Sequence, residues 1–312
     1  MKDRFGRVIR YLRLSVTDAC NLRCLYCAPE VVSEADGVFL EAAEIAEIVQ
    51  AAVKLGIRKV RITGGEPLVR ADILDVCRQV AQIDGLEELC MTTNGVLLAD
   101  YAGRLRDAGV DRVNVSLDSL DAGRFHALTG GDLSAVLRGI DAAMGAGLLV
   151  KLNVVLMRGV NDGEIGDFVA LTRDRGLHVR FIELMPIGAG LTSLPERFLS
   201  ADAVLEACPE LESVSGYDGV AEVYCLPGVY AKIGLIRPMS RHFCMRCDRV
   251  RVTADGRLKP CLHAMEEIRL RGLSGSALET ALRDGIWGKP CGHHMDLDTP
   301  SESGRGMRQI GG

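Results

Sequence analysis

Aromatic residues are scarce in this chain, and no long hydrophobic run occurs in it. Phe, Trp and Tyr make up 4% of the 312 residues, although 48% of the residues are hydrophobic. The interior must therefore consist mainly of Val, Leu, Ile and Ala, which is typical of parallel strands covered by helices. No apolar stretch approaches the roughly 20 residues that a membrane-spanning helix needs. We therefore expect a globular protein that does not cross a membrane.

The chain also lacks an excess of positive charge and an apolar leader. It has 37 Lys and Arg against 42 Asp and Glu, a net charge of −5, so the basic face that binds long nucleic acids is not expected. The first seven residues, MKDRFGR, include four charged ones, unlike a secretory signal. We predict a cytoplasmic location.

Cysteine, in contrast, is abundant, and its spacing is informative. Eleven cysteines in a reducing compartment indicate metal or redox chemistry more than a disulfide framework. Cys20, Cys24 and Cys27 have a CxxxCxxC spacing that places three thiolates on one loop. A cubane iron–sulfur cluster normally takes four Cys ligands, so this loop would leave one iron open to a small molecule. A zinc site or disulfides would also suit this spacing.

A second cysteine set lies near the carboxyl end of the chain. Cys244 and Cys247 form a CxxC pair, and Cys261 follows after thirteen residues. By itself this set resembles part of a zinc ribbon as much as a cluster site. Several side chains are candidates for a fourth ligand, namely His242, His263, Cys291, His293 and His294.

Short apolar runs alternate with amphipathic stretches, which indicates repeated βα units and a parallel sheet. Strands are predicted at 12–16, 59–63, 88–92, 112–116, 150–155 and 178–183, and helices at 40–55, 73–82, 100–108, 134–146 and 164–175. Glycines follow four of these helices and are predicted to end them. Ligands bind at the carboxyl ends of such strands. Polar segments lie there, at 63–67, 92–94 and 116–118.

The pattern changes after residue 183 to a Pro-rich and Gly-rich segment. A helix at 201–208 and two short strands near 221–225 and 230–236 are predicted to follow. We expect a barrel region at 1–190 and an appended carboxyl-terminal region at 191–312 that carries the second cysteine set.

Several segments together give a specific resemblance. They are RLSVTDACNLRCLYC (13–27), RITGGEP (61–67), TTNG (92–95), NVSLD (114–118), FCMRCDRVR (243–251) and the terminal IGG (310–312). The chain resembles the radical S-adenosylmethionine superfamily through the first cysteine set. Through the second set, the RVR context and the diglycine end it closely resembles the GTP 3′,8-cyclase family of molybdenum cofactor biosynthesis.

The resemblance implies an α/β fold, a partial (β/α)6 TIM-like barrel with an appended carboxyl-terminal region. It implies a [4Fe-4S] cluster at each end of the channel. S-adenosylmethionine would bind the open iron of the first cluster and the guanine of GTP that of the second. The reaction implied is radical cyclisation of GTP, in which a 5′-deoxyadenosyl radical takes a hydrogen atom from ribose C3′ and the carbon radical adds to C8. This lyase reaction is the first step of molybdenum cofactor biosynthesis.

The resemblance also assigns roles to individual positions. The cluster ligands would be Cys20, Cys24, Cys27, Cys244, Cys247 and Cys261. The S-adenosylmethionine site would include Tyr26, Gly64, Gly65, Glu66, Thr92, Ser116 and Met185. The triphosphate would be bound by Arg13, Lys59, Arg61, Lys151, Arg180, Arg249 and Arg251. Catalysis would involve Arg249, Arg251 and the terminal Gly311 and Gly312, which would thread into the active site.

Two other interpretations stay open on sequence. One is another radical S-adenosylmethionine enzyme with an auxiliary cluster, such as a peptide-modifying maturase, and the other is a structural zinc protein that acts as a binding module. The cyclase resemblance implies a reducing electron donor, a downstream molybdenum cofactor enzyme that receives the product, and a monomer or homodimer.

Overall fold

The computed structural model describes residues 1–27, 39–188, 196–297 and 299–311. Its strands are β1 (Tyr11–Ser15), β2 (Lys59–Thr63), β3 (Glu88–Thr93), β4 (Arg112–Ser116), β5 (Leu149–Leu156), β6 (His178–Glu183), β7 (Glu212–Asp218), β8 (Ala221–Cys225), β9 (Ile233–Ile236), β10 (Arg249–Val252), β11 (Arg257–Lys259) and β12 (Ile268–Arg269). They form one sheet in the order β12-β11-β10-β1-β2-β3-β4-β5-β6-β9-β8-β7.

The middle of this sheet is parallel. The run from β10 through β1 to β6 and on to β9 consists of parallel neighbours. The outer strands are antiparallel, β11 and β12 at one end and β8 and β7 at the other. Parallel strands need crossover connections, which explains the helices between β1 and β6.

Helices follow most of the parallel strands. They are α1 (Ala42–Lys54), α2 (Ile73–Ala81), α3 (Leu98–Asp107), α4 (Ala122–Thr129), α5 (Leu133–Gly145), α6 (Ile165–Asp174), α7 (Asp202–Ala207), α8 (Gly275–Trp287) and α9 (Met307–Ile310). The apolar sides of α1 to α8 bury aliphatic residues in one core with the outer face of the sheet. In the described ranges, no helix has the length and apolar character needed to cross a membrane.

The predicted α/β fold is confirmed. The six predicted strands and the helices between them occur within about two residues of the predicted bounds. Gly56, Gly109, Gly147 and Gly176 follow their helices with φ between 67° and 102°, a left-handed conformation that favours glycine. Helix α4 was not predicted. It begins after Asp121, whose side chain accepts a hydrogen bond from the Arg124 amide.

The appended region is integrated into the same sheet. Strand β9 pairs with β6, and β10 pairs with β1, so one continuous sheet extends through both parts of the chain. The sequence pattern did not predict these pairings. The division at residue 190 stays a prediction.

Candidate active site

The inner face of the parallel sheet surrounds a cavity of about 470 Å³. Side chains from β1 to β6 and from β10 line this cavity together with the cysteine loops. Because strands so far apart in the sheet all reach one cavity, the sheet must wrap around it. The predicted site residues on its wall are Arg13, Cys20, Tyr26, Cys24, Cys27, Lys59, Arg61, Gly64, Gly65, Thr92, Ser116, Arg180, Met185, Cys244, Cys247, Arg249, Arg251 and Cys261. Glu66 and Lys151 lie behind this wall, and Gly312 lies outside the described residues.

The first cysteine set lies at the carboxyl end of β1. Arg23 and Leu25 in this loop donate backbone hydrogen bonds to the last residues of α4, at 2.9 and 3.0 Å. Burial raises the pKa of all three thiols, that of Cys27 to about 11. A bound metal would be needed to hold these thiols as thiolates.

Two glycines of the GGE segment make close contact with the chain that leads into the first cysteine loop. The Gly65 amide donates to the Thr17 carbonyl at 2.8 Å. A Cβ on Gly65 would be 2.2 Å from the Ala19 carbonyl oxygen, closer than any side chain allows. The absence of a side chain at Gly65 therefore lets β2 support the cysteine loop.

Glu66 is fully buried behind this contact. Its carboxylate accepts hydrogen bonds from the Leu68 amide at 3.0 Å, the Thr93 hydroxyl at 2.7 Å and the Asn94 amide at 2.6 Å. Burial raises the pKa of Glu66 to about 7, although these bonds lower it. The side chain therefore joins the loops after β2 and β3, and this geometry favours a role in supporting the loops over direct contact with a ligand.

Tyr26 is fixed by Asp118, which belongs to the predicted polar segment at 116–118 but was given no individual role. Its hydroxyl donates to Asp118 at 2.6 Å, and the same carboxylate accepts from the Val155 amide at 2.8 Å. Asp118 is 2% exposed, and burial raises its pKa to about 6. The carboxylate thus holds the Tyr26 ring against the cavity beside Cys24 and Cys27.

The second cysteine set lies at the opposite end of the strands. Cys247 precedes β10 by two residues, and β10 runs parallel to β1 with Arg249 beside Tyr11. Strand β11 runs back antiparallel to β10, so Cys261 returns to this end too. The five residues of β1 span roughly 15 Å, which separates the two cysteine sets across one cavity.

Cations support the second set. Arg7 donates to the backbone carbonyls of Cys244 and Cys291 at 2.8 and 2.9 Å. Burial alone would raise the pKa of the Cys247 thiol, but the neighbouring cations Lys289 and Arg249 lower it below its usual value. At Cys247 this environment favours a thiolate and hence a metal ligand, whereas burial raises the pKa of the Cys244 thiol.

Five candidates for a fourth ligand lie near the second set. The His263 and His293 rings line the cavity, and their centroids are 4.8 Å apart. His242 lies 4.4 Å from His293 by the same measure. Cys291 is exposed, with its sulfur 3.7 Å from that of Met245, and neither it nor His294 lines the cavity. Across the described ranges, no three His, Cys, Asp or Glu side chains converge on one metal ion. In a cubane each thiolate binds a separate iron.

Between the cysteine sets lies a group of cations from three adjacent strands, which we call the cationic belt and define as Arg13, Lys59, Arg61, Arg249 and Arg251. The strand register places Arg13 beside Arg61 on one side and beside Arg251 on the other. Burial and the neighbouring cation Arg249 lower the pKa of Arg251 to about 10. Glu88 pairs with Lys59 at 2.6 Å, and the positive charge buried in the belt favours binding of a further anion.

Arg180 on the far wall and Lys151 behind it form a separate pair. Both contact the carboxylate of Asp218 from the end of β7. The two cations lower the pKa of Asp218 although burial opposes them. Burial and Arg180 lower the pKa of Lys151 to about 8. The sequence analysis did not identify Asp218.

The carboxyl-terminal segment enters the cavity from the side of the first cysteine set. Met307 and Arg308 line the cavity, and the Arg251 guanidinium donates to the Gly311 carbonyl. A Cβ on Gly311 would be 2.4 Å from Cγ2 of Thr63. The next-to-last residue therefore lies against β2 and the cationic belt.

Comparison with known proteins decides the family. A profile of the Radical SAM superfamily matches residues 14–172, and one of Molybdenum Cofactor Synthesis C matches residues 177–295. The chain is 47% identical over 320 residues to the GTP 3′,8-cyclase of Alkaliphilus oremlandii, with all of both chains covered. The chain belongs to the GTP 3′,8-cyclase family. The Listeria monocytogenes relative is 44% identical, with 100% of this chain and 99% of the relative covered.

Two solved structures share the fold. SuiB of Streptococcus suis superimposes with a TM-score of 0.61 at 16% identity, covering 97% of this chain and 68% of SuiB. Native anSMEcpe with bound AdoMet superimposes with a TM-score of 0.56 at 13% identity, covering 90% of this chain and 81% of anSMEcpe. These likenesses concern the fold alone, so the family assignment depends on the full-length relatives.

Membership of this family implies S-adenosylmethionine and a [4Fe-4S] cluster. The residues present fit them. Cys20, Cys24 and Cys27 supply three free thiols at the carboxyl end of the strands, and the glycines beside them leave the close backbone contact that a Cβ would block. The first cysteine set is thus suited to hold a cluster with one iron open.

Proposed function

We propose that this protein converts GTP to (8S)-3′,8-cyclo-7,8-dihydroguanosine 5′-triphosphate, the first step of molybdenum cofactor biosynthesis. One observation carries the proposal: two sets of three cysteines face one cavity from opposite ends, with the cationic belt between them. The Alkaliphilus oremlandii and Listeria monocytogenes relatives are named for this activity. A triphosphate would bring negative charge to these largely buried cations.

When bound, the reduced first cluster and S-adenosylmethionine supply the 5′-deoxyadenosyl radical that removes the C3′ hydrogen atom. The protein must then hold C3′ near that radical and C8 near C3′, and keep water out. Substrate and product are isomers. Ring closure onto C8 and formation of the N7–H bond therefore consume one electron, which we assign to a low-potential reductant, and one proton from solution.

We place S-adenosylmethionine at the end of the cavity with the first cysteine set. The Tyr26 ring, held by Asp118, would lie against the adenine. Gly64, Gly65, Thr92, Ser116 and Met185 line the same end and would complete this pocket. Glu66 would act indirectly, through the loops it joins.

We place the guanine at the other end, on a second [4Fe-4S] cluster held by Cys244, Cys247 and Cys261. The lowered pKa of Cys247 supports a metal-binding role there. The triphosphate would bind the cationic belt, because guanidinium groups bind phosphate oxygens in bidentate fashion. Arg180 on the far wall and Lys151 behind it would bind it from the opposite side.

The tail and the partners complete the proposal. Gly311, fixed by Arg251, would bring Gly312 to the substrate, and we assign both glycines and Arg249 and Arg251 to catalysis. The proposal also includes an electron donor and a downstream enzyme that takes the product. It further places the protein in the cytoplasm as a monomer or homodimer.

The test is turnover by anaerobically purified protein. It is incubated with reductant, S-adenosylmethionine and GTP, and 5′-deoxyadenosine and the cyclised nucleotide are measured, with ATP in place of GTP as the specificity control. We expect stoichiometric formation of both products with GTP and much less with ATP. Cys247→Ser should abolish cyclisation, whereas the control Cys225→Ser should not. Formation of 5′-deoxyadenosine with a peptide but not with GTP, or colourless protein that holds zinc, would overturn the proposal.

A further inference from the structure

Tyr11 lies in the middle of the cationic belt. It is on β1, beside Lys59 of β2 on one side and Arg249 of β10 on the other. The Lys59 nitrogen is 5.1 Å from the centre of the Tyr11 ring, and the guanidinium carbons of Arg249 and Arg61 are 5.8 and 5.9 Å from it. One aromatic ring thus contacts cations from both neighbouring strands.

The hydroxyl of the same side chain has a specific partner. Arg61 donates a hydrogen bond from Nε to the Tyr11 oxygen, and its Nη1 donates to the Met91 carbonyl at 3.1 Å and to the Thr92 hydroxyl at 3.4 Å. Tyr11 is 9% exposed and Arg61 is 2% exposed. In such a setting cation–π contacts and hydrogen bonds to a charged donor are stronger than at a surface.

A neutral ring has an advantage over a carboxylate at this position. A carboxylate would stabilise the cations, but it would also repel a triphosphate and occupy the guanidinium groups that bind it. The ring offers an electron-rich face without a full negative charge. Although burial opposes it, Arg61 and Arg13 lower the pKa of Tyr11 to about 8, which reflects the strength of the positive field around the ring.

We propose that Tyr11 is a positioning residue that holds Lys59, Arg61 and Arg249 ready for a polyphosphate, through its ring and its hydroxyl together. The inference rests on the proposed function, since it assigns the polyphosphate to GTP. Tyr11 would act through these three cations on the affinity for the triphosphate, and not on the recognition of guanine.

The test compares a ligand that has the triphosphate with one that lacks it. Anaerobic equilibrium binding of GTP and of guanosine is measured for the wild type, Tyr11→Phe and Tyr11→Leu, with inorganic tripolyphosphate as a competitor. We expect Tyr11→Phe to weaken GTP binding roughly threefold by loss of the hydroxyl. Tyr11→Leu should weaken it on the order of tenfold by loss of the ring as well. Guanosine binding should stay unchanged in both, and tripolyphosphate should compete less well.

The matched control is Tyr101→Leu. Tyr101 has Arg104 over its ring at 5.1 Å, the same distance as Lys59 from Tyr11, but on helix α3 outside the cavity. This control should leave GTP binding unchanged. Equal weakening of GTP and guanosine binding by Tyr11→Phe, or no weakening of either, would overturn the inference. If the Tyr11→Leu variant loses iron, its binding data are set aside, and the comparison of Tyr11→Phe with the wild type decides the inference.

The inference and the proposed function fail in different ways. If the wild type binds tripolyphosphate through Tyr11 but forms no cyclised product, the proposed function falls and the role of Tyr11 stands. If the wild type cyclises GTP and Tyr11→Phe has the wild-type affinity for it, the role of Tyr11 falls.

Discussion

The guanidinium of Arg251 donates a hydrogen bond to the backbone carbonyl of Gly311. Arg251 is 6% exposed on β10, and Gly311 is buried with φ +79°. A residue at the carboxyl end of the chain is thereby held between the cationic belt and Thr63 of β2. The relationship holds this segment against the cationic belt, next to Met307 and Arg308, which line the cavity.

Gly311→Ala should disrupt this arrangement. The added Cβ would be 2.4 Å from Thr63 Cγ2, and the φ of +79° is one that an L side chain rarely adopts. We expect the rate of GTP cyclisation to fall on the order of 10- to 100-fold, because small displacements at a reacting centre have effects of this size. Iron content should not change.

Gly304→Ala is the control for that experiment. No atom lies within 4 Å of its ideal Cβ, and its φ is not in the left-handed region, so turnover should match the wild type. Undiminished turnover in Gly311→Ala would show that the tail has no part in the reaction.

Gly65→Ala should damage the first cysteine loop. Its Cβ would meet the Ala19 carbonyl oxygen at 2.2 Å and the Asp18 carbonyl oxygen at 2.7 Å, and backbone atoms cannot move aside as a side chain can. We expect the loss of about four irons per chain, measured by iron analysis after anaerobic purification. Gly103→Ala, on α3 with no atom within 4 Å of its Cβ, should keep its iron. Full iron in Gly65→Ala would contradict this role.

Tyr26→Phe should destabilise the protein in a pH-dependent way. The folded-state pKa of Asp118 is about 6, above its usual 3.8, because of burial. Its protonation stabilises the folded state at low pH, and this contribution is lost as the pH rises through 6. At pH 8 the buried Asp118 carboxylate is charged and accepts the hydrogen bond from the Tyr26 hydroxyl. Loss of this hydroxyl should therefore lower the free energy of unfolding by about 2 kcal/mol.

The measurement for Tyr26→Phe is the anaerobic melting temperature at pH 5 and pH 8. We expect a drop of several degrees at pH 8 and a smaller one at pH 5, where the carboxyl is protonated. Tyr101→Phe serves as the control and should melt like the wild type at both pH values. An equal drop at both would argue against the Asp118 charge as its cause.

Asp218→Asn should lower the KM for GTP. The Asp218 carboxylate contacts Lys151 and Arg180, and it competes there with an incoming phosphate. Its side chain is 40% exposed, so solvent screening limits the effect to roughly threefold. Asp141→Asn, which breaks the ion pair with Arg175 on the outer surface, should leave KM unchanged. A raised KM in Asp218→Asn would mean that Asp218 orients the cations instead of competing with the ligand.

The barrel could be predicted from the sequence because its signals are local. Apolar runs, amphipathic stretches and helix-ending glycines such as Gly109 repeat along the first two thirds of the chain. The pairing of β9 with β6 and of β10 with β1 could not be predicted. These strands are short, and their partners are far away in the sequence, so no local pattern indicates which strands pair.

The site was predicted in part for a similar reason. Motif residues such as Cys20 and Gly65 identify themselves by spacing, and the structure brings them to one cavity. Asp118 and Asp218 act through contacts with residues that are distant in sequence. Tyr11 carried a usable signal, since it lies two positions before Arg13 on the same strand face as the cations.

The central claim is that two cysteine sets hold two clusters, each with one iron open, at opposite ends of one cavity. Electron paramagnetic resonance of the reduced protein, with S-adenosylmethionine and GTP added separately, tests it most directly. We predict two [4Fe-4S] signals, one altered by S-adenosylmethionine and absent in Cys24→Ser, the other altered by GTP and absent in Cys247→Ser. A single cluster signal, or GTP without effect on either signal, would contradict the account.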